Sequence, residues 1–94
     1  MNTLIENFEI SYSLDGKDGE AILVVLKEDL MFIMIAEGFE LSKTFVENAD
    51  ELKEMVTERK LLLEEAGFIQ TSIGKLKKPK SWYEDELEKQ FNSL

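Results

Sequence analysis

Residues 48–67 read Asn48-Ala49-Asp50-Glu51-Leu52-Lys53-Glu54-Met55-Val56-Thr57-Glu58-Arg59-Lys60-Leu61-Leu62-Leu63-Glu64-Glu65-Ala66-Gly67, and this stretch decides the fold. Leu52, Met55, Val56, Leu62, Leu63 and Ala66 recur at i, i+3, i+4 and i+7. At about 100° per residue they form one apolar stripe on an amphipathic helix. Asn48 suits the N-cap, and Glu51 three residues later completes a capping-box pattern. Asp50 and Glu51 also suit the positive end of the helix dipole. Gly67 follows where a left-handed C′ residue is wanted, and Phe68 falls where a Schellman motif makes its hydrophobic contact. The rest of the chain packs on this helix or serves the sheet beneath it.

The opposite face of the helix is unusual. Glu47, Glu51, Glu54, Glu58 and Glu65 fall within about 60° of one line, and Lys53 and Lys60 project to another side. Like charges at i, i+4, such as Glu54 and Glu58, each cost roughly 0.2–0.5 kcal/mol. A surface built only for solubility usually mixes signs. The line is therefore either a solvated acidic face or a ridge that meets a basic partner. Arg59, the only arginine, interrupts the apolar stripe. Either its methylenes cover the core edge while the guanidinium reaches water, or it pairs with a carboxylate of the sheet.

Upstream, Phe8, Ile10, Tyr12 and Leu14 alternate with Glu9, Ser11 and Ser13, a strand with one buried and one wet face. The segment 15–19, Asp15-Gly16-Lys17-Asp18-Gly19, is read as a hairpin turn. It does not suit calcium, because Lys17 occupies the third position counted from Asp15, where an oxygen ligand is needed. Residues 21–26 and 30–36 are apolar without alternation, as expected of strands buried on both faces. Lys27-Glu28-Asp29 turns between them. After a tight turn at Glu37-Gly38, Phe39, Leu41 and Phe45 alternate with Glu40, Ser42 and Thr44. The order alternating, continuous, continuous, alternating implies a four-stranded antiparallel meander from about residue 6 to 45. The two continuous strands need a cover on each face of the sheet.

Downstream, residues 68–73 are a short run that either adds an extra strand between the helices or crosses the sheet. Lys75-Leu76-Lys77-Lys78-Pro79-Lys80, the one basic cluster, is read as a solvated connector. Ser81-Trp82-Tyr83-Glu84 has the form of a capping box, so a C-terminal helix begins near Ser81 and runs to about Asn92. Tyr83, Leu87, Phe91 and Leu94 share its docking side. Trp82 lies at least about 100° from that side, and either packs on the connector or is exposed as an interface anchor.

The 94 residues make one α+β domain, residues 1–94, whose 44% hydrophobic content supports a core. The net charge is −9. It argues against direct binding to nucleic acid or to an anionic membrane, and permits a basic protein surface. The chain has no His and no Cys. That removes Ser-His-Asp and Cys-His catalysis, disulfides and nearly every zinc site. No phosphate-cradling glycine loop is present, no metal or cofactor is implied, and the chain is not expected to be an enzyme. No signal peptide opens the sequence and no run is long enough to span a bilayer, so a cytoplasmic protein is expected. Ten Lys against one Arg, with many Glu, Ile, Phe and Asn, fits AT-rich codons and a low-GC bacterium or its phage.

Two functions follow. The first is a small acidic regulator or inhibitor. It engages a basic partner surface through Glu47, Glu51, Glu54, Glu58 and Glu65, with Trp82 as a further contact, and in its strong form its carboxylates mimic DNA phosphates. The second is a homo-oligomeric structural or accessory protein, a homodimer for example, assembling through the second sheet face or the C-terminal helix.

Overall fold

A computed structural model describes residues 7–14, 20–36 and 40–92. The turns expected at 15–19 and 37–38, the places of Phe39 and Leu94, and residues 1–6 lie outside these. The elements are β1 (Phe8–Leu14), β2 (Glu20–Leu26), β3 (Met31–Ala36), β4 (Glu40–Phe45), α1 (Ala49–Glu65), β5 (Phe68–Lys75) and α2 (Lys80–Asn92). A single 3-10 turn, Lys27–Asp29, joins β2 to β3, and Leu30 closes it in the left-handed region at φ 49°.

The five strands form one antiparallel sheet in the order β4-β3-β2-β1-β5. The expected meander is there, and the ambiguous run after Gly67 is a full strand that adds to its free edge. Its alternation is broken because the β1–β5 register shifts between Ser11 and Tyr12, skipping Thr71. The Thr71 hydroxyl donates to the Ser11 carbonyl at 3.2 Å. A bulge of this kind turns residues beyond it to the other face, so Ile73, opposite Ile10, shares a face with Phe68, opposite Leu14.

β2 and β3 are apolar on both sides and each side has its cover. On the first face, α1 sets Leu52, Val56 and Leu63 against Ile10, Tyr12, Leu23, Phe32 and Met34. On the second, α2 sets Tyr83 and Leu87 against Val24, Leu26, Ile33 and Ile35. The sheet is a middle layer between two helices. The buried residues of α1 lie within about 40° of one line at 100° per residue. The expected stripe was broader: Met55 is half-buried, and Leu62 and Ala66 are exposed. On α2 the docking side ends at Leu87, and Phe91 is exposed rather than docked. Phe45, expected on the inner side of β4, is also exposed, with the Lys43 ammonium 5.8 Å from its ring centre.

The caps of α1 follow from the sequence. Asn48 Oδ1 accepts from the Glu51 N–H at 2.9 Å, and Glu51 Oε1 accepts from the Glu47 N–H at 3.1 Å, one residue earlier than a standard capping box. Gly67 takes φ +99°, and its N–H donates to the Glu64 carbonyl at 3.1 Å. α2 differs from expectation. It begins at Lys80, with the Trp82 N–H donating to the Pro79 carbonyl at 2.9 Å, so Ser81 is inside the first turn. Glu84 faces Lys43 of β4 at 3.7 Å instead of capping.

α1 starts beside the end of β4 and finishes at the start of β5 on the far edge, so it crosses the sheet diagonally. A diagonal cover leaves two corners. At one, the Arg59 Nε donates to Glu40 Oε2 at 3.1 Å, with both side chains half-buried. Arg59 therefore pairs with a sheet carboxylate. The other corner is an open groove of about 600 Å³ between α1 and the β1–β5 edge.

Leu63 is fully buried at the centre of the first core. Leu63→Ala is expected to lower unfolding free energy by about 2–5 kcal/mol in urea denaturation, the range for deleting a buried leucine side chain. An unchanged midpoint would place the stripe in solvent.

Candidate functional site: the outer face of helix 1

The outer face of α1 is the direct consequence of its inner one. Glu54 is diametrically opposite Leu63 on a wheel of about 100° per residue, and Glu58 and Glu65 are near it. Glu47, Glu51, Glu54, Glu58 and Glu65 are all exposed. Two have partners: Glu51 holds the N-terminal cap, and Glu58 Oε1 lies 3.6 Å from the Arg59 guanidinium. The ridge also carries an apolar element that the sequence reading left unremarked. Leu61, three residues after Glu58 and four before Glu65, is 55% exposed, and Leu62 beside it is 41% exposed. An isolated exposed leucine is ordinary, and at about 100° per residue these two flank the carboxylate line on either side near its C-terminal end, giving it apolar margins.

Trp82 does not join this face. It lies on α2, across the sheet, so the sheet separates it from the five glutamates. It is 36% exposed, meets Tyr83 edge-on at 5.2 Å, and has the Lys78 ammonium 5.7 Å from its ring centre. It thus packs on the connector while leaving part of its surface open.

The connector's lysines are exposed as expected, but its backbone is tied down. Glu9, expected on the wet side of β1, is 4% exposed on the α2 face. Its Oε1 accepts from the Lys77 N–H at 3.0 Å and from the Tyr83 hydroxyl. The Tyr83 oxygen accepts from the Lys77 and Lys78 N–H groups at 3.1 and 3.3 Å. Leu76 packs into the second core, and Lys80 pairs with Asp29 at 2.8 Å. A buried carboxylate is costly unless hydrogen-bonded, and here the bonds pin β5, the connector and α2 together. Burial, then the bond to Glu9, pushes the Tyr83 phenol up to about 12. The groove opens on the opposite sheet face, so this pair presents no acid–base group to it. Burial also raises the Tyr12 phenol, with Glu64 adding to the effect, and among the described residues its buried hydroxyl has no hydrogen-bond partner.

Among the described residues no group of three or more Asp, Glu, His or Cys could hold a metal ion, and no helix is long and apolar enough to cross a membrane. Compared with known proteins, the chain matches no family model, no curated protein and no solved structure.

The two buried tyrosines make opposite predictions. Tyr83→Phe leaves Glu9 with only the Lys77 N–H and strands the Lys78 N–H, and is expected to cost about 1–3 kcal/mol, whereas Tyr12→Phe removes an unpaired hydroxyl and is expected to be neutral or stabilising. Urea denaturation at pH 7 of both variants separates these outcomes. The raised Tyr83 phenol sets a pH dependence as well. Its folded value lies above the ordinary 10.0, so the stabilisation is complete below pH 10 and is lost as pH climbs to about 12. At 1.36 kcal/mol per unit that is about 2–3 kcal/mol. The loss between pH 10 and 12 should be smaller in Tyr83→Phe.

Proposed function

We propose that the protein is a non-enzymatic binding module, a regulator or inhibitor, which sets the outer face of α1 against a basic surface of a partner protein. The observation that carries this reading is the line of five exposed carboxylates, diametrically opposite the buried stripe, with Leu61 and Leu62 exposed on its margins. Glu54 and Glu58 repel each other across one helical turn, and pairing with Lys or Arg of a partner recovers that energy. Leu61 and Leu62, on the margins of the line, add apolar area that a protein partner can cover and that a plain phosphate-mimicking role does not use. Charge steers the encounter, so association slows as salt rises.

Self-assembly has less to support it. Tyr83 and Leu87 cover the middle of the second sheet face, which leaves Phe45 and Ile69 at its margins and Trp82 and Phe91 on α2 as the exposed apolar side chains on that side. Light scattering on the intact chain tests it: a monomer at high protein concentration removes the homo-oligomer reading.

The ridge is tested with the triple variant Glu51→Gln, Glu54→Gln and Glu58→Gln, and separately with Leu61→Ser. Gln at 51 keeps an oxygen for the cap, so melting should be unchanged or slightly higher. Host proteins retained by the wild type and released by salt are identified and titrated against each form at low ionic strength. Affinity is expected to fall by roughly tenfold or more in the triple variant, two to three interfacial charges being removed. Equal affinity for wild type and both variants would return this face to plain solvation.

A further inference from the structure

The groove left open by the diagonal helix has a composition unlike the rest of the surface. Phe8, Ile10, Val25 and Ile73 from the sheet and Leu52 and Val56 from α1 give it an apolar floor continuous with the core. Ile73, beyond the Thr71 bulge, is 57% exposed there. The rim carries Lys27, Lys53 and Lys60, with Asp50 as the one acidic member. Lys53 and Lys60 lie seven residues apart, so they project from one side of α1 about 10.5 Å apart along its axis. Among the described residues neither ammonium has a carboxylate within ion-pair distance. The Lys27 ammonium sits 5.4 Å from the centre of the Phe8 ring and so stays at the groove's mouth.

We propose that this groove binds a single-chain anionic amphiphile, an unbranched acyl chain ending in a carboxylate. Three features fix that choice. The volume is within the range of small-molecule sites, about 300–1,000 Å³. The floor side chains are apolar, and the one hydroxyl in the lining, that of Thr57, donates to the Lys53 carbonyl at 2.9 Å. Polar groups are confined to the rim, which suits a ligand with a long apolar body and one polar end. The rim cations are all lysines, point charges on flexible stems, which suit a mobile carboxylate better than the fixed fork geometry of arginine. In a chain of net charge −9, three lysines collected at one apolar mouth let it accept an anion. The head group lies among the lysines and the chain runs over Val56 and Ile73. The site is independent of the carboxylate ridge, which occupies the outer side of the same helix.

The test titrates the intact protein with laurate below its micellar concentration, with glycerol monolaurate (the same chain, uncharged) and with butyrate (the same charge, short chain). Calorimetry gives affinity, and amide shifts in heteronuclear NMR spectra locate the ligand. Laurate should bind saturably and shift residues of the floor; glycerol monolaurate should bind more weakly and butyrate not measurably. The variant K27Q/K53Q/K60Q, which alters only surface side chains, should weaken laurate by roughly tenfold and leave glycerol monolaurate unchanged, as expected for losing partly exposed ion pairs. Ile73→Asp, at an exposed position, should abolish saturable binding of both lipids while the circular dichroism spectrum is kept. Absence of saturable laurate binding, equal affinity for laurate and glycerol monolaurate, or unchanged laurate affinity in the lysine variant would each overturn the proposal.

Discussion

Two neighbouring strands that are apolar on both faces constrain the whole molecule. β2 and β3 bury Leu23, Phe32 and Met34 on one side and Val24, Ile33 and Ile35 on the other. Such strands cannot lie at a surface, so the chain must supply two covers. It does so with two short amphipathic helices, one before and one after β5. Each cover is fixed by apolar packing at its centre and by a polar clamp at its margin. For α1 the clamp is Arg59 on Glu40; for α2 it is Tyr83 on Glu9, reinforced by Lys43–Glu84 and Lys80–Asp29. The clamps differ in kind. Arg59 and Glu40 are half-open to water, whereas Glu9 is enclosed and depends on every bond it receives.

A helix of 17 residues, about 26 Å long, cannot roof a five-stranded sheet. Its diagonal course sorts the surface. The side away from the sheet carries the line of glutamates, and the side facing the β1–β5 corner carries Lys53 and Lys60 beside Asp50 and Glu64. The outer side of the helix is thus purely acidic and the groove side is mixed, although the chain as a whole is strongly acidic.

What the sequence revealed is what depends on near neighbours along the chain. The unbroken apolar runs of β2 and β3, the Asn48 cap, the left-handed Gly67 and the helical phase of the glutamates were all legible, because each is set within about four residues. The features that were hidden depend on distant partners. Glu9 looks wet beside Ser11 and Ser13 until Tyr83 and Lys77 are brought over it. Arg59 could cover the core edge or pair with a sheet carboxylate, and only the approach of Glu40 decides between them. β5 stayed ambiguous because the Thr71 bulge resets its alternation in mid-strand, leaving Ile69 and Ile73 on opposite faces. The apolar groove could not be read at all, since it exists only through the angle at which the helix crosses the sheet.

That crossing also orders events in time. β1 to β4 pair with sequence neighbours, and such contacts form early because little loop entropy opposes them. The outer edge of β1 is different. Its partner is β5, and the contact joining Ser11 to Thr71 spans 60 residues. During synthesis the meander therefore emerges with its first strand's hydrogen-bonding groups open and both faces of β2 and β3 bare. They stay so until α1 has been laid across the sheet and β5 follows it. Exposed strand edges beside uncovered apolar faces are what a ribosome-bound chain pairs wrongly. The late arrival of β5, and of α2 behind it, makes their docking the step that closes the β1 edge and covers the second face of the sheet.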